Sequence, residues 1–146
     1  MENSVDKLNN YTLGRELGTG ANCRVRYCTL KGAERPFALK LMNKATQANA
    51  DAMLKEYVAL KELVHPHIVK LYEISDAGFY QSRDGSSKAG MLYSVLEFAD
   101  NGELFDYVAL EKFGERFARY FFKQLIDAVG HCHSKGFAHR YTFSLI

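Results

Sequence analysis

Residues 17–25, Leu17-Gly18-Thr19-Gly20-Ala21-Asn22-Cys23-Arg24-Val25, set two glycines on either side of one threonine, between the β-rich runs Tyr11 to Gly18 and Arg24 to Leu30. Glycine carries no Cβ, so backbone amides at such a turn can approach a phosphate without side-chain obstruction. The glycines alone fit a plain hairpin turn equally well. A dinucleotide-binding turn would lead from a strand into a helix and would place a third glycine where this chain has Cys23. Here the turn leads into a second strand, so the context excludes that reading.

Further along, Phe37-Ala38-Leu39-Lys40-Leu41-Met42 reads as a third strand. A lysine on an apolar strand is costly unless its ammonium meets an anion, a phosphate or a carboxylate. In isolation Lys40 reads as an edge lysine snorkelling to solvent. From Asn49 to Val64 the apolar residues Met53, Tyr57, Leu60 and Val64 fall at i, i+4, i+7 and i+11, the stripe of an amphipathic helix that must stop before Pro66. Glu56 precedes a stripe residue and can face the third strand; read alone, it belongs to a solvated face with Lys55, Lys61 and Glu62.

Two further strands are expected at His67 to Ile74 and Met91 to Phe98, separated by a long polar hairpin loop from Ser75 to Gly90. A short helix from Glu103 to Leu110 and a longer one from Glu115 to Lys135 come next, the latter with Phe117, Phe121, Leu125, Ala128 and Cys132 on one face.

Composition narrows the classes of function. The 146 residues, 47% hydrophobic and 25% charged, allow one compact core. A net charge of +2 gives no electrostatic footprint for nucleic acid or an acidic membrane. No apolar run approaches the roughly 20 residues of a transmembrane helix, and MENSVDKLNN lacks a signal peptide's apolar core, so a cytoplasmic or nuclear location is expected. Cys23, Cys28 and Cys132 are expected as reduced thiols.

Taken together, residues 11–140 resemble a eukaryotic protein kinase domain. Gly18, Gly20 and Val25 fill the family's glycine-rich loop, Ala38 and Lys40 its strand motif, and Glu56 the helix position ten residues before Pro66. The run Glu56 to Val69 resembles the family's helix and following strand almost throughout, while Cys23 departs from its third glycine. Leu92 to Ala99 resembles the strand and hinge beside adenine, and residues 102–106 with 117–140 are most similar to serine/threonine kinases of the calcium/calmodulin-dependent and AMP-activated type.

The resemblance implies an α+β fold: a five-stranded antiparallel sheet with one major helix over residues 11–98, then hinge and first helices of an incomplete helical lobe over 99–140, flanked by an extension at 1–10 and a divergent tail at 141–146. It implies ATP contacts from Leu17, Gly18, Thr19, Gly20, Ala21, Val25, Ala38, Lys40, Leu96 as gatekeeper, the backbone of Glu97 and Ala99, and Glu103 at the ribose. Lys40 and Glu56 form its catalytic ion pair. Glu103 also reads as a helix N-terminal acid, and the two roles are compatible. His131, Cys132, His133 and His139 offer ligand types for zinc, but at no finger spacing, so no metal site is expected.

After His139-Arg140 the family has an aspartate base, followed by an asparagine and an Asp-Phe-Gly that hold magnesium; this chain has Tyr141-Thr142-Phe143-Ser144-Leu145-Ile146. A phenol with a pKa of roughly 10 is a poor base at neutral pH. The expected function is therefore the ATP-binding portion of a serine/threonine kinase, inactive as this chain. The alternative is a pseudokinase-like binding module or dominant-negative partner of a full-length kinase. For the abrupt ending, an altered transcript or incomplete gene model is expected over a genuine short product.

Overall fold

The computed structural model describes residues 5–43, 46–110 and 114–138. The chain divides into two compact units, Met1–Val58 with Lys70–Phe98, and Ala59–Val69 with Ala99–Ile146. The first carries strands β1 (Lys7–Leu8), β2 (Tyr11–Thr19), β3 (Cys23–Leu30), β4 (Phe37–Met42), β5 (Leu71–Gln81) and β6 (Ser87–Glu97). Helix α1 (Gln47–Glu62) begins in this unit. The strands pair antiparallel in the order β1-β2-β3-β4-β6-β5, and β5 pairs back to β1, closing the sheet into a barrel.

The sheet thus has one strand more than expected. β1 lies in the stretch read as an N-terminal extension, and its two residues are too few to show a period. It turns into β2 through Asn9-Asn10, with Asn9 at φ 49, a left-handed conformation that asparagine tolerates. The loop expected from Ser75 to Gly90 is also corrected. β5 and β6 run through it to a turn in which the Ser82 N–H donates to the Ser86 carbonyl at 2.8 Å. Backbone pairing needs no apolar side chains, so a polar, exposed hairpin leaves little trace in the sequence pattern. β5 starts at Leu71 rather than His67, because a turn closed by the Ile68 N–H on the His65 carbonyl precedes it.

Inside the barrel, alternate residues Leu8, Leu13, Cys28, Leu39, Tyr93 and Val95 form the main core. Met42 and Leu92 face the other side and pack against Met53 of α1. The Thr46 hydroxyl accepts the Asn49 N–H and caps the start of this helix. Met53 of the expected stripe is buried, and Tyr57 and Leu60 are half-buried. Val64 does not join them: the helix ends at Glu62, Leu63 turns inward instead, and Val64 is 74% exposed.

The second unit contains α2 (Leu104–Ala109) and α3 (Glu115–Ser134). On α3 Ala128 is buried and Leu125 and Cys132 half-buried, but Phe117 and Phe121 of the expected apolar face are exposed. Gly136, at φ 79, ends the helix, donating its N–H to the His133 carbonyl while the Phe137 N–H donates to that of Cys132. Among the described residues no helix is long and apolar enough to cross a membrane.

Candidate functional site

Sheet register decides what surrounds Lys40. On β4 it stands opposite Val25 of β3 and Ser94 of β6, and Ala38 stands opposite Tyr27 and Leu96. Strand alternation therefore puts Val25, Ala38, Lys40, Ser94 and Leu96 on one face, which is also the face of Met42 where α1 docks. Three residues beyond Met53, Glu56 emerges on the same side of the helix. Its Oε2 accepts a hydrogen bond from the Lys40 Nζ at 2.5 Å. Met53, Glu56, Tyr57, Leu71, Ile74 and Ser94 line a small cleft beside the pair.

The glycine-rich turn joins β2 to β3 at the edge of that face. Gly18 lies opposite Val25, the cross-strand neighbour of Lys40. The Gly20 N–H donates to the Cys23 carbonyl at 2.9 Å, and the Asn43 N–H donates to the Asn22 carbonyl at 2.8 Å, tying the turn to the end of β4. A Cβ on Gly18 would meet nothing within 4 Å, so this backbone is open; one on Gly20 would lie 3.2 Å from the Cys23 Sγ. Leu17 is half-buried, whereas Thr19 and Ala21 are exposed, with the Thr19 hydroxyl donating to the Glu16 carboxylate.

At the end of β6, Leu96 is half-buried. Glu97 donates its backbone N–H to the Lys70 carbonyl at 2.8 Å, and its Oε2 accepts the Lys70 N–H at 3.0 Å. Both its amide and its carboxylate hold the chain in place. Ala99 and Glu103 belong to the second unit, where Ala99 is exposed and Glu103 is the N-cap of α2 without a side-chain cap bond. His139, Arg140 and Tyr141 lie outside the described residues.

Sequence reading missed two polar clusters in the first unit. In one, the Glu73 carboxylate accepts hydrogen bonds from Tyr11, at 2.6 Å, and from Tyr93, while the Asn9 amide donates to the Tyr93 hydroxyl. Burial and then the bond to Glu73 push the Tyr93 phenol up to about 12, and the same two causes raise Tyr11. In the other, Arg26 donates from Nε and Nη2 to the Gly14 carbonyl at 2.9 and 2.6 Å, and from Nη1 to Asp6 at 2.6 Å. Partners 62 and 20 residues apart leave no local sequence signal.

In the second unit the His131 ring lies 5.1 Å from that of His65, centre to centre, and its Nε2 is buried with no hydrogen-bond partner among the described residues. Among the described residues no group of three or more His, Cys, Asp and Glu is placed to hold a metal ion.

Comparison with known proteins matches residues 11–141 to the family described as protein kinase domain. Similar relatives are CBL-interacting protein kinase 17 of Oryza sativa subsp. japonica, 36% identical over 137 residues, and CBL-interacting serine/threonine-protein kinase 24 of Arabidopsis thaliana, 33% identical over 144 residues. These alignments cover 91% and 96% of this chain but 28% and 30% of the relatives. The chain thus spans under a third of the length of the curated relatives it matches.

Proposed function

Because the chain belongs to the protein kinase domain family, we propose that its first unit binds the phosphates of ATP between the glycine-rich turn and Lys40. The observation that carries this reading is the Lys40–Glu56 ion pair on the sheet face below that turn. A lysine held by one carboxylate keeps further N–H donors for phosphate oxygens, and the open backbone at Gly18 admits a phosphate close to the main chain. Val25, Ala38 and Leu96, on the same face, supply an apolar bed for adenine.

The family reaction moves the γ-phosphoryl of Mg-ATP to a protein hydroxyl, and the serine/threonine relatives support that class of acceptor. Glu56 holds Lys40 in position, and Lys40 neutralises phosphate charge. The sequence has Tyr141 where the family has its aspartate base, and a phenol with an ordinary pKa of roughly 10 is a poor base at neutral pH, so in this reading the chain binds nucleotide without transferring phosphate efficiently. Magnesium is assigned no ligand among the described residues. A cytoplasmic or nuclear location agrees with this reading.

The test is titration of the 146-residue chain with Mg-ATP. Saturable binding lost in Lys40→Ala supports the proposal, and its absence at millimolar nucleotide overturns it. Transfer of γ-phosphate to a protein substrate, abolished in Lys40→Ala, would overturn the inactivity. A second reading, a binding module for a full-length kinase, draws on Phe105, Val108, Tyr120 and Phe122, all exposed on α2 and α3. Capture of a purified kinase by the Lys40→Ala chain would favour it.

A further inference from the structure

Four residues before the glycine-rich turn, β2 departs from regular pairing: Leu13 pairs with Cys28, but the next pair is Glu16 with Arg26, so Gly14 and Arg15 together oppose Tyr27. Such a bulge bends a strand and re-aims the residues beyond it. Glycine at residue 14 lets the bulge close against Tyr27, since a Cβ would lie 2.8 Å from the Tyr27 Cδ1 and the ring would have to shift. A second irregularity, between Glu16 and Gly18, leads directly into the turn.

The Arg26 guanidinium holds this bulge by donating two hydrogen bonds to the Gly14 carbonyl. Its remaining nitrogen meets Asp6 at 2.6 Å, in an ion pair whose side chains are 21% and 15% exposed. Asp6 is itself fixed from another direction. Its Oδ1 accepts the Arg83 N–H at 3.0 Å and the Ser82 hydroxyl at 3.4 Å, and its carbonyl accepts the Leu13 N–H at 2.8 Å. Burial by itself raises the Asp6 carboxyl, but the hydrogen bonds from Arg26 and Arg83 outweigh it and hold the group below its usual value, so it is charged at neutral pH. A planar guanidinium with five donors in a fixed fork suits this double duty, and a lysine could not reproduce it.

We propose that Asp6 and Arg26 are positioning residues for the nucleotide site, a clamp through which the N-terminal segment sets the bend of β2 and hence the aim of the glycine-rich turn. The inference rests on the nucleotide-binding reading and adds a control point outside the motif. The side-chain hydrogen bonds described for Asp6 and Arg26 go to one another, to Gly14 and to Ser82 and Arg83 rather than to the turn, so they act on it through the Gly14 carbonyl. Loss of the Asp6 carboxylate frees Arg26 to leave that carbonyl and lets the hairpin splay.

The test compares Mg-ATP affinity, by calorimetry on the full chain, among the native chain, Asp6→Asn, Asp6→Glu, Arg26→Lys and Asn9→Ala. Asn9→Ala loosens β1 from β5 and β6, because Asn9 bonds Phe79 and Tyr93, but does not touch Arg26. The clamp predicts affinity about three- to tenfold weaker in Asp6→Asn and Arg26→Lys, partial recovery in Asp6→Glu, and native affinity in Asn9→Ala. Equal weakening in Asp6→Asn and Asn9→Ala, or no weakening in Asp6→Asn, overturns it. Amide exchange across residues 15–20 is measured in parallel. If the native chain binds no nucleotide, the binding reading falls, and faster exchange there in Asp6→Asn but not in Asn9→Ala still supports the clamp. Identical exchange in the two variants overturns it.

Discussion

The Lys40 Nζ lies 2.5 Å from the Glu56 Oε2, joining the fourth strand to the helix that packs over the same sheet face. The side chains are 24% and 40% exposed, so solvent screens the pair and its worth to stability is modest, about 0.5–1 kcal/mol. Its importance is geometric, since it fixes the ammonium group on the sheet face that carries Val25, the cross-strand neighbour of Gly18.

Replacing Glu56 by Gln is therefore expected to lower the melting temperature by only a few degrees while weakening Mg-ATP binding about tenfold. Calorimetric titration and thermal denaturation of one preparation check both parts. A large loss of stability with unchanged affinity would show a structural pair rather than a phosphate site.

Glu73 joins two tyrosines from β2 and β6, and Tyr93 is among the most deeply buried side chains, at 1% exposure. Glu73→Leu leaves both hydroxyls without their acceptor and should cost about 2–4 kcal/mol, measured by urea denaturation. Pairing it with Tyr11→Phe and Tyr93→Phe should recover much of that loss, because unpaired polar groups cost more than absent ones.

Stability should fall in alkali before lysines titrate fully. Burial holds the Cys28 thiol up to about 12, from an ordinary value of 9.0, and Tyr93 up to about 12 from 10.0. Both groups are neutral in the folded chain, while the unfolded chain loses these protons first. Their contribution is thus complete below pH 9 and drains away as pH rises towards 12. Tyrosinate absorbance compared between the native chain and Tyr93→Phe should show that phenol ionising together with unfolding, and Tyr93→Phe should lessen the stability lost over this range, which Cys28 and Tyr11 still span.

Gly78 sits where β5 meets β6, and a Cβ there would lie 2.7 Å from the Met91 carbonyl oxygen and 2.9 Å from the Tyr93 Cδ1. One of these is backbone and cannot swing away. Gly78→Ala is expected to destabilise by about 2–3 kcal/mol, with thermal denaturation as the check. Gly18→Ala, with open space around it, should leave stability within about 1 kcal/mol and act on nucleotide binding instead.

Strands with apolar alternation and the long helices were legible in the sequence to within a few residues, because those patterns report burial of one face. β4 was read at its full extent, and α3 to within one residue. The polar half of the β5–β6 hairpin and the two-residue β1 were not, since their pairing rests on main-chain hydrogen bonds that leave no imprint on composition. Val64 was misassigned because a heptad-like count continues past Glu62, whereas the chain turns before Pro66.

The family was legible in the sequence alone, through the glycines at 18 and 20, Lys40, Glu56 and the run towards Arg140, since short motifs in fixed order are readable without any knowledge of contacts. The same motifs placed Lys40 and Glu56 on a strand and a helix that could meet. That they do meet, and that Asp6, Arg26 and Gly14 form a connected unit at the base of the turn, emerged only from the folded chain. The reason is the same in each case: a hydrogen bond between residues far apart in the chain depends on strand order and register, which no local pattern encodes.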